Sequence, residues 1–460
     1  MEYNYEIDNY LRPGKHAHLV GIGGVSMRPL AEVLKGSGMV ITGSDMNDGP
    51  SVEELRSLDI DVTIGHFAEN INGADLVIRT AAVHDDNPEI SAALAAGVPV
   101  FERAQAWGSI MKSYRNAVCI SGTHGKTTTT SMSTHILMAA EKDPTVMIGG
   151  TLPMLHSGHR VGHGDTIVLE SCEYCNSFHS FFPTVAVILN VDADHLDFFK
   201  GIDDIIASFR HFALQVPADG CVVVNADNAN AMKAVSGIDR RIVTFGTNCS
   251  ADIHPADLNF KNGLASFDII ANGEKYCSVE LKVPGEHNVS NALAAAAAAI
   301  TLGIGGNAVS EGLSSFTGAG RRFEYKGEYN GAKIYDDYAH HPSEMHALIS
   351  MCKELGYKRV ILVFQPHTYT RTKALFDDFC AELSRVDIAI LAEIYAAREV
   401  NTIGVTSSQL AEKVGAKCYA SMDEIVVQLQ RLASPGDLIV TVGAGDIYKV
   451  GEKLASLNKV

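Results

Sequence analysis

The stretch Ser121-Gly122-Thr123-His124-Gly125-Lys126-Thr127-Thr128-Thr129-Thr130-Ser131 follows directly on the apolar run Ala117-Val118-Cys119-Ile120. A strand that breaks at glycines and resumes as a helix is the layout of a phosphate-gripping loop, and it commits this part of the chain to an α/β arrangement. Gly122 and Gly125 let the backbone turn so that amide groups converge on phosphate oxygens. Lys126 adds a mobile charge near the terminal phosphates, and the Thr127 hydroxyl suits an accompanying Mg²⁺. The spacing is G-x-x-G-K-T, shorter than the usual G-x-x-x-x-G-K-T, because Ile120 stands five before Gly125. The candidate triphosphate contacts are Gly122, Thr123, His124, Gly125, Lys126, Thr127 and Thr128.

Short apolar runs alternate with helical stretches along the whole chain. They fall at Ala17–Val20, Val40-Ile41, Leu76–Ile78, Val118–Ile120, Thr166–Leu169, Val185–Leu189, Val222–Val224, Val360–Phe364, Ile388–Leu391 and Leu438–Val442. This βαβ rhythm predicts parallel sheets covered by helices on both faces. At 460 residues the chain exceeds what one core usually serves. The strand-loop-helix pattern restarts near His18, near Asn116 and after Thr317-Gly318-Ala319-Gly320, which predicts domains over residues 1–114, 115–318 and 319–460. The first restart, Gly21-Ile22-Gly23-Gly24-Val25-Ser26-Met27, resembles a dinucleotide fingerprint with Met27 where the third glycine belongs. Asp45, after the second strand, stands where an acidic residue meets a ribose.

The formal net charge of −17 argues against a nucleic-acid or anionic-membrane partner, either of which needs a basic surface, while a few local Lys and Arg residues can still hold small anions. Nine cysteines without framework spacing fit a reducing compartment, and Cys172-x-x-Cys175 lacks the second pair or nearby histidine of a zinc site. No run approaches the ~20 apolar residues a membrane span needs, and Met1–His18 carries no apolar signal core. A cytoplasmic protein without membrane insertion is expected. Glu170 ends one apolar run, and Asn190-Val191-Asp192-Ala193-Asp194-His195 follows another. Ligands gather at the carboxyl ends of parallel strands, so Glu170, His195 and Lys126 are expected to converge there, with Thr127, Glu170 and His195 as candidate Mg²⁺ ligands.

Several motifs occur together in one order: GTHGKTTTT at 122–130, Glu170, DADHLD at 192–197, GEHNVSNA at 285–292, GAGRRFE at 318–324, DDYAHHPSE at 336–344 and FQPHTYTRT at 364–372. Jointly they resemble the Mur ligase family, over nearly the whole chain and most closely its alanine-adding branch. The resemblance implies three domains: a Rossmann-like unit for a UDP sugar, a central P-loop ATPase-type unit with a mostly parallel sheet, and a Rossmann-like unit that closes over ATP and brings the amino acid. It implies ATP with two Mg²⁺ ions, and UDP-N-acetylmuramate and L-alanine as the molecules joined, by a monomer or weak homodimer. Gly23, Gly24, Ser26, Met27, Asp45 and Arg103 fall to the UDP sugar. His287, Asn288 and Asn291 fall to the nucleotide base and its surroundings, with helix capping as the structural alternative. Arg322, with Arg321 beside it, falls to the phosphates and Asp337 to the ATP ribose. Tyr338, His340 and His341 line the amino-acid side, where His341-Pro342 alone reads as a helix start, and His367 with Arg371 would hold the alanine carboxylate. His340, His341 or His195 could accept the amine proton.

Two departures accompany the resemblance. Residues 208–212 contain no lysine of the carbamylated kind that several Mur ligases use, as expected of the alanine-adding branch. Thr368 stands where many alanine-adding enzymes carry arginine. Hinges are expected near Tyr114 and Gly318–Gly320. The rival readings are a recycling ligase that joins a preformed peptide to the same UDP sugar, a nucleotide-dependent oxidoreductase, and a binding protein that has lost catalysis.

Overall fold

The computed structural model describes residues 6–80, 83–195, 198–397 and 399–459. The chain packs as two compact units, one made of Met1–His254, Ile270–Glu274 and Leu293–Gly312, the other of Pro255–Ile269, Lys275–Ala292 and Leu313–Val460. Three sheets run through them, and every apolar run singled out above forms part of a strand.

In the first unit, β1 (His16–Val20), β2 (Val40–Asp45), β3 (Asp61–Ile64), β4 (Leu76–Arg79) and β5 (Val100–Glu102) pair in the order β3-β2-β1-β4-β5, all parallel. The order reverses at β1, so the crevice of this doubly wound sheet opens beside the glycine loop that follows β1. Helices α1 (Met27–Gly36), α2 (Pro50–Ser57), α3 (Pro88–Ala96) and α4 (Arg103–Met111) cover it. Leu19, Ile22, Leu30, Leu34, Leu55 and Trp107 are buried together in one core. Gly43 in β2 makes this packing possible, because a Cβ there would lie 2.5 Å from Ile22 Cδ1 and 2.7 Å from the Leu19 carbonyl oxygen.

On the other face lies a buried polar cluster. The Glu89 carboxylate, 0% exposed, accepts from the Ser44 hydroxyl at 2.6 Å and the Asn70 amide at 2.5 Å. It also meets His66 Nδ1 at 2.9 Å and His18 Nε2 at 3.3 Å. Burial pushes the Glu89 carboxyl up, but the hydrogen bonds from His18, Ser44 and Asn70 outweigh it and hold the group below the usual carboxylate range. Its stabilisation is therefore fully present above the unfolded pKa of about 4.3 and is lost as pH falls through the lower folded value. Glu89→Ala should cost roughly 3 kcal/mol at pH 7, since it strands several buried donors. Urea unfolding at pH 7 and pH 4 checks both points: the gap between wild type and Glu89→Gln should narrow at the lower pH.

The same unit holds seven strands of the second sheet: β6 (Asn116–Ser121), β7 (Thr145–Leu152), β8 (Ser157–Arg160), β9 (Thr166–Glu170), β10 (Val185–Ile188), β11 (Cys221–Asn225) and β12 (Arg241–Phe245). They are ordered β12-β11-β10-β6-β9-β7-β8 and are parallel except for the antiparallel β7–β8 pair. Strand β6 is flanked by β9 and β10 and feeds α5 (Lys126–Ala139), so the phosphate loop, Glu170 and the segment after β10 share one end of the sheet. Two contacts fasten the first sheet's helices to this body. Arg28 of α1 reaches Ser157 Oγ at 3.1 Å and His159 Nδ1 at 3.2 Å, while His159 Nε2 meets Glu32 at 3.0 Å; these residues line a polar cavity of about 430 Å³. Gly108 of α4 lies so close to Ser180 that a Cβ would stand 1.9 Å from its carbonyl oxygen.

The second unit contains most of β13 (Ile253–Lys261), β14 (Leu264–Ala271) and β15 (Glu274–Pro284), hydrogen-bonded in that order. It also contains a sheet of β16 (Glu324–Tyr329), β17 (Ala332–Asp337), β18 (Arg359–Phe364), β19 (Ile388–Ala392), β20 (Lys417–Tyr419) and β21 (Asp437–Val442), ordered β16-β17-β21-β18-β19-β20. Only β16–β17 is antiparallel. Leu362, Phe364, Leu438 and Val440 face one core and Ile361, Val363 and Ile439 the other, as the continuous apolar runs of a doubly covered sheet require. Among the described residues, no helix is long and apolar enough to cross a membrane.

Candidate active site

The phosphate loop leaves β6 at Ser121. Gly122 has φ 146°, and a Cβ there would lie 2.8 Å from Leu189 Cβ, so the turn is pressed against the end of β10. Gly125, at φ 85°, is the N-cap of α5, and no side chain caps that helix. An uncapped helix N-terminus presents amide groups and the positive end of the helix dipole to an anion, which is the fit a triphosphate needs. Thr123 and His124 are braced from outside the loop: the Asp192 amide donates to Thr123 Oγ1 at 2.9 Å, and Asn190 bonds both backbone groups of His124, at 2.8 and 3.1 Å. These two residues shape the loop.

Lys126 Nζ donates to the carbonyls of Gly122 and Thr123 and to both oxygens of Glu173, at 3.0 and 3.3 Å. Burial works against the Lys126 charge, but Glu173, followed by Cys172 and Glu170, keeps the ammonium well above its ordinary range, so it is fully protonated. The Thr127 hydroxyl donates to Glu170 Oε1 at 3.0 Å, and the Gly149 amide donates to Glu170 Oε2 at 2.7 Å. Gly149 has to be glycine here, because a Cβ would stand 2.6 Å from that carboxylate. A hydroxyl and a carboxylate oxygen side by side are hard ligands of the kind Mg²⁺ takes. The Nε2 of His195, the third expected ligand, lies 3.9 Å from Glu173 and 3.8 Å from Asp194, and its ring packs on Tyr174 at 4.7 Å. Among the described residues no group of three or more His, Cys, Asp or Glu is arranged to hold a metal. Leu196 and Asp197 of the DADHLD motif lie outside the described residues. Cys172 and Cys175 are exposed, and neither forms a disulfide.

Glu173 is the residue that sequence reasoning missed. Its signal was present as the E-x-x-E spacing of Glu170 and Glu173 just past β9, where the C-x-x-C overlapping it drew the attention.

At the first glycine loop, the Gly23 amide donates to Asp45 Oδ2 at 3.0 Å, so Asp45 ties the loop to the end of β2. The Ser26 hydroxyl accepts from Arg103, and the Ser26 carbonyl from Trp107 Nε1 at 3.3 Å. A Cβ on Gly24 would come within 3.2 Å of the Gly21 carbonyl. The expectation that Met27 contacts substrate is corrected: it opens α1 with its side chain 0% exposed in the core, because the third-glycine position packs helix against strand.

In the second unit, Asn288 donates to the Pro284 carbonyl at 2.7 Å and Asn291 to Asn288 Oδ1 at 3.1 Å, contacts that brace the start of the helix Glu286–Thr301; His287 is exposed. Arg321 is bound to Asp336 at 3.0 Å and to the carbonyls of Gly443 and Gly445, which makes it a brace between β17 and the turn after β21. Arg322 lies over the Tyr338 ring at 5.2 Å. Asp337 accepts from the Phe323 and Ala339 amides, each at 2.8 Å; burial pushes its carboxyl up to about 6, with Arg322 pulling the other way. His341 is the N-cap of the helix Pro342–Glu354, in a capping box with Glu344, so the helix-start reading describes its local role. His340 Nδ1 lies 3.1 Å from the Tyr338 carbonyl and 3.4 Å from Glu344.

His340 and His367 stand 6.0 Å apart between ring centres, and Arg371 reaches His367 Nδ1 at 3.4 Å. Burial, then the charges of His340 and Arg371, draw His367 down to about 4, so it is a neutral imidazole. Thr368 has φ 66° and ψ 147°, strained for a β-branched residue. Its amide is held by the Tyr395 carbonyl at 2.9 Å and its carbonyl by Thr372 Oγ1 at 2.6 Å. That backbone places His367 and Arg371 beside each other without an arginine at 368.

Three family models match the chain in sequence order: the Mur ligase family, catalytic domain, over residues 16–115; the Mur ligase middle domain over 120–299; and the Mur ligase, glutamate ligase domain, over 321–445. The chain belongs to the Mur ligase family. This Mur ligase is 43% identical over 457 residues to the UDP-N-acetylmuramate--L-alanine ligase of Clostridium novyi, covering 98% of this chain and 99% of that one. It is 45% identical over 457 residues, with the same coverage, to the enzyme of the same name from Agathobacter rectalis. The crystal structure of the UDP-N-acetylmuramate-alanine ligase MurC from Thermotoga maritima superimposes with a TM-score of 0.81 at 28% identity, covering 96% of this Mur ligase and 99% of that chain.

Proposed function

We propose that this Mur ligase joins the amine of L-alanine to the lactyl carboxylate of UDP-N-acetylmuramate, coupling amide formation to the conversion of ATP into ADP and phosphate in the making of a peptidoglycan precursor. The observation that carries the reading is the uncapped glycine-turned loop with Lys126, Thr127 and Glu170 behind it, in a chain that alanine-adding relatives match from end to end. Cytoplasm is the compartment that supplies both nucleotide substrates.

A carboxylate is a poor electrophile in water. Transfer of the γ-phosphoryl group of ATP to one lactyl oxygen makes an acyl phosphate and releases ADP; the alanine amine then attacks the acyl carbon, and phosphate leaves. The first step brings anion against anion, so charge neutralisation and alignment are what the protein has to supply. The amide groups at the start of α5 would receive phosphate oxygens, and Lys126 would neutralise the β and γ phosphates. Thr127 and Glu170 would hold Mg²⁺, which supplies further charge neutralisation when bound. His195 remains a proposed ligand and an alternative proton acceptor for the amine. Arg322 is proposed to neutralise phosphate charge, Asp337 to take the ribose, and His367 with Arg371 to take the alanine carboxylate, the arginine through charge-assisted hydrogen bonds.

The test supplies ATP, Mg²⁺ and UDP-N-acetylmuramate and measures phosphate release with alanine, glycine, serine and a tripeptide in turn. Release that depends on alanine is expected; release that depends on the tripeptide alone would move the enzyme to the recycling reaction. Arg371→Ala should raise the alanine KM about tenfold or more while leaving the ATP KM nearly unchanged, because it removes one anchor of the amino acid's carboxylate. Equal effects on both KM values would remove Arg371 from that role.

A further inference from the structure

An ammonium group has three N–H donors and no acceptor. On Lys126 the protein's own acceptors take all three: the Gly122 carbonyl, the Thr123 carbonyl and the Glu173 carboxylate. The two carbonyls belong to the loop that any phosphate would enter, and their hold keeps the lysine folded back over it. Glu173 is different, because it comes from the segment after β9 and carries the charge of a phosphate oxygen. Only 3% of its side chain is exposed, against 14% for Lys126, so the pair sits where water does little to weaken it.

A buried carboxylate that loses its cation is costly unless another partner is at hand. Here one is, since His195 Nε2 lies 3.9 Å from Glu173 Oε1, the oxygen that Lys126 holds at the longer distance of 3.3 Å, against 3.0 Å for Oε2. Glu173 thus has Lys126 across both oxygens, more closely on Oε2, and an imidazole near Oε1.

We propose that Glu173 is a built-in stand-in for a phosphate oxygen on Lys126, displaced toward His195 when the β and γ phosphates arrive, so that it sets nucleotide affinity by competition. This rests on the ATP-dependent reading above. The exchange gives up one buried ion pair for another, and the nucleotide's apparent affinity is lowered by the fraction of protein in which Lys126 is already engaged. Glu173 is accordingly a positioning residue, and its removal strengthens ground-state binding of triphosphates.

The experiment is calorimetric titration of the full-length protein with AMP-PNP and with AMP, in Mg²⁺, for wild type, Glu173→Gln and Glu173→Asp. The glutamine variant should bind AMP-PNP about tenfold more tightly and AMP within about twofold of wild type, because AMP lacks the phosphates that meet Lys126. Glu173→Asp keeps the charge but shortens the reach, and it should fall between the two. Unchanged or weaker AMP-PNP binding by Glu173→Gln, or equal tightening for both nucleotides, would overturn the competition. If Glu173→Gln does not fold, Glu173→Asp decides by itself, and AMP-PNP binding no tighter than wild type contradicts the proposal. Wild-type protein that binds neither nucleotide would instead remove the ATP-dependent reading, and this inference with it.

Discussion

Lys126→Ala is expected to lower turnover by about 10³-fold, near 4 kcal/mol of transition-state stabilisation, while UDP-N-acetylmuramate binding stays within a small factor of wild type. The size follows from the position of the ammonium. It is held over the phosphate loop by two loop carbonyls and kept charged by Glu173 in a mostly buried setting, where a fixed charge is worth far more than in water. The residues proposed to take the UDP sugar are tied in pairs, Gly23 to Asp45 and Ser26 to Arg103, by contacts that do not involve Lys126. Steady-state kinetics together with titration of the UDP sugar checks both halves. Turnover within tenfold of wild type would remove Lys126 from the reaction.

Glu170→Ala should have an effect of the same order, about 10³-fold in turnover, and should shift the Mg²⁺ dependence to higher concentration. Glu170 fixes two things at once: it accepts from the Thr127 hydroxyl, and it pins the backbone of β7 at Gly149. Glu170→Gln keeps the shape and loses the charge, so it should retain the fold and still need more Mg²⁺. Turnover measured across a Mg²⁺ series separates a metal ligand from a structural acceptor. An unchanged Mg²⁺ midpoint in both variants would leave Glu170 with only the structural role.

The parallel framework was legible in the sequence because buried parallel strands read as short runs of Val, Ile, Leu and Ala, and β1, β6, β9, β10, β18 and β21 all announce themselves that way. The antiparallel additions were not. Strand β7 begins with the buried run Val146-Met147-Ile148, which the reading passed over, and where it pairs with β8 the two strands contain Gly149, Gly150, Ser157 and Gly158, whose value lies in close backbone approach and hydrogen bonding rather than in an apolar pattern. Strand β13 is exposed along most of its length.

Within the site, the phosphate loop and Glu170 could be read from glycine spacing and strand ends. Three features could not. Met27 belongs to the core although it occupies a fingerprint position, and Arg321 is committed to Asp336 while its neighbour Arg322 lies over the Tyr338 ring. Glu173 gains its meaning only from a lysine 47 positions away.

The most direct test of the central claim is an isotope measurement. UDP-N-acetylmuramate labelled with ¹⁸O in the lactyl carboxylate is turned over with ATP, Mg²⁺ and L-alanine, and the released phosphate is analysed by mass spectrometry. Activation through an acyl phosphate carries one labelled oxygen into each phosphate released. Amide product formed with unlabelled phosphate would contradict it.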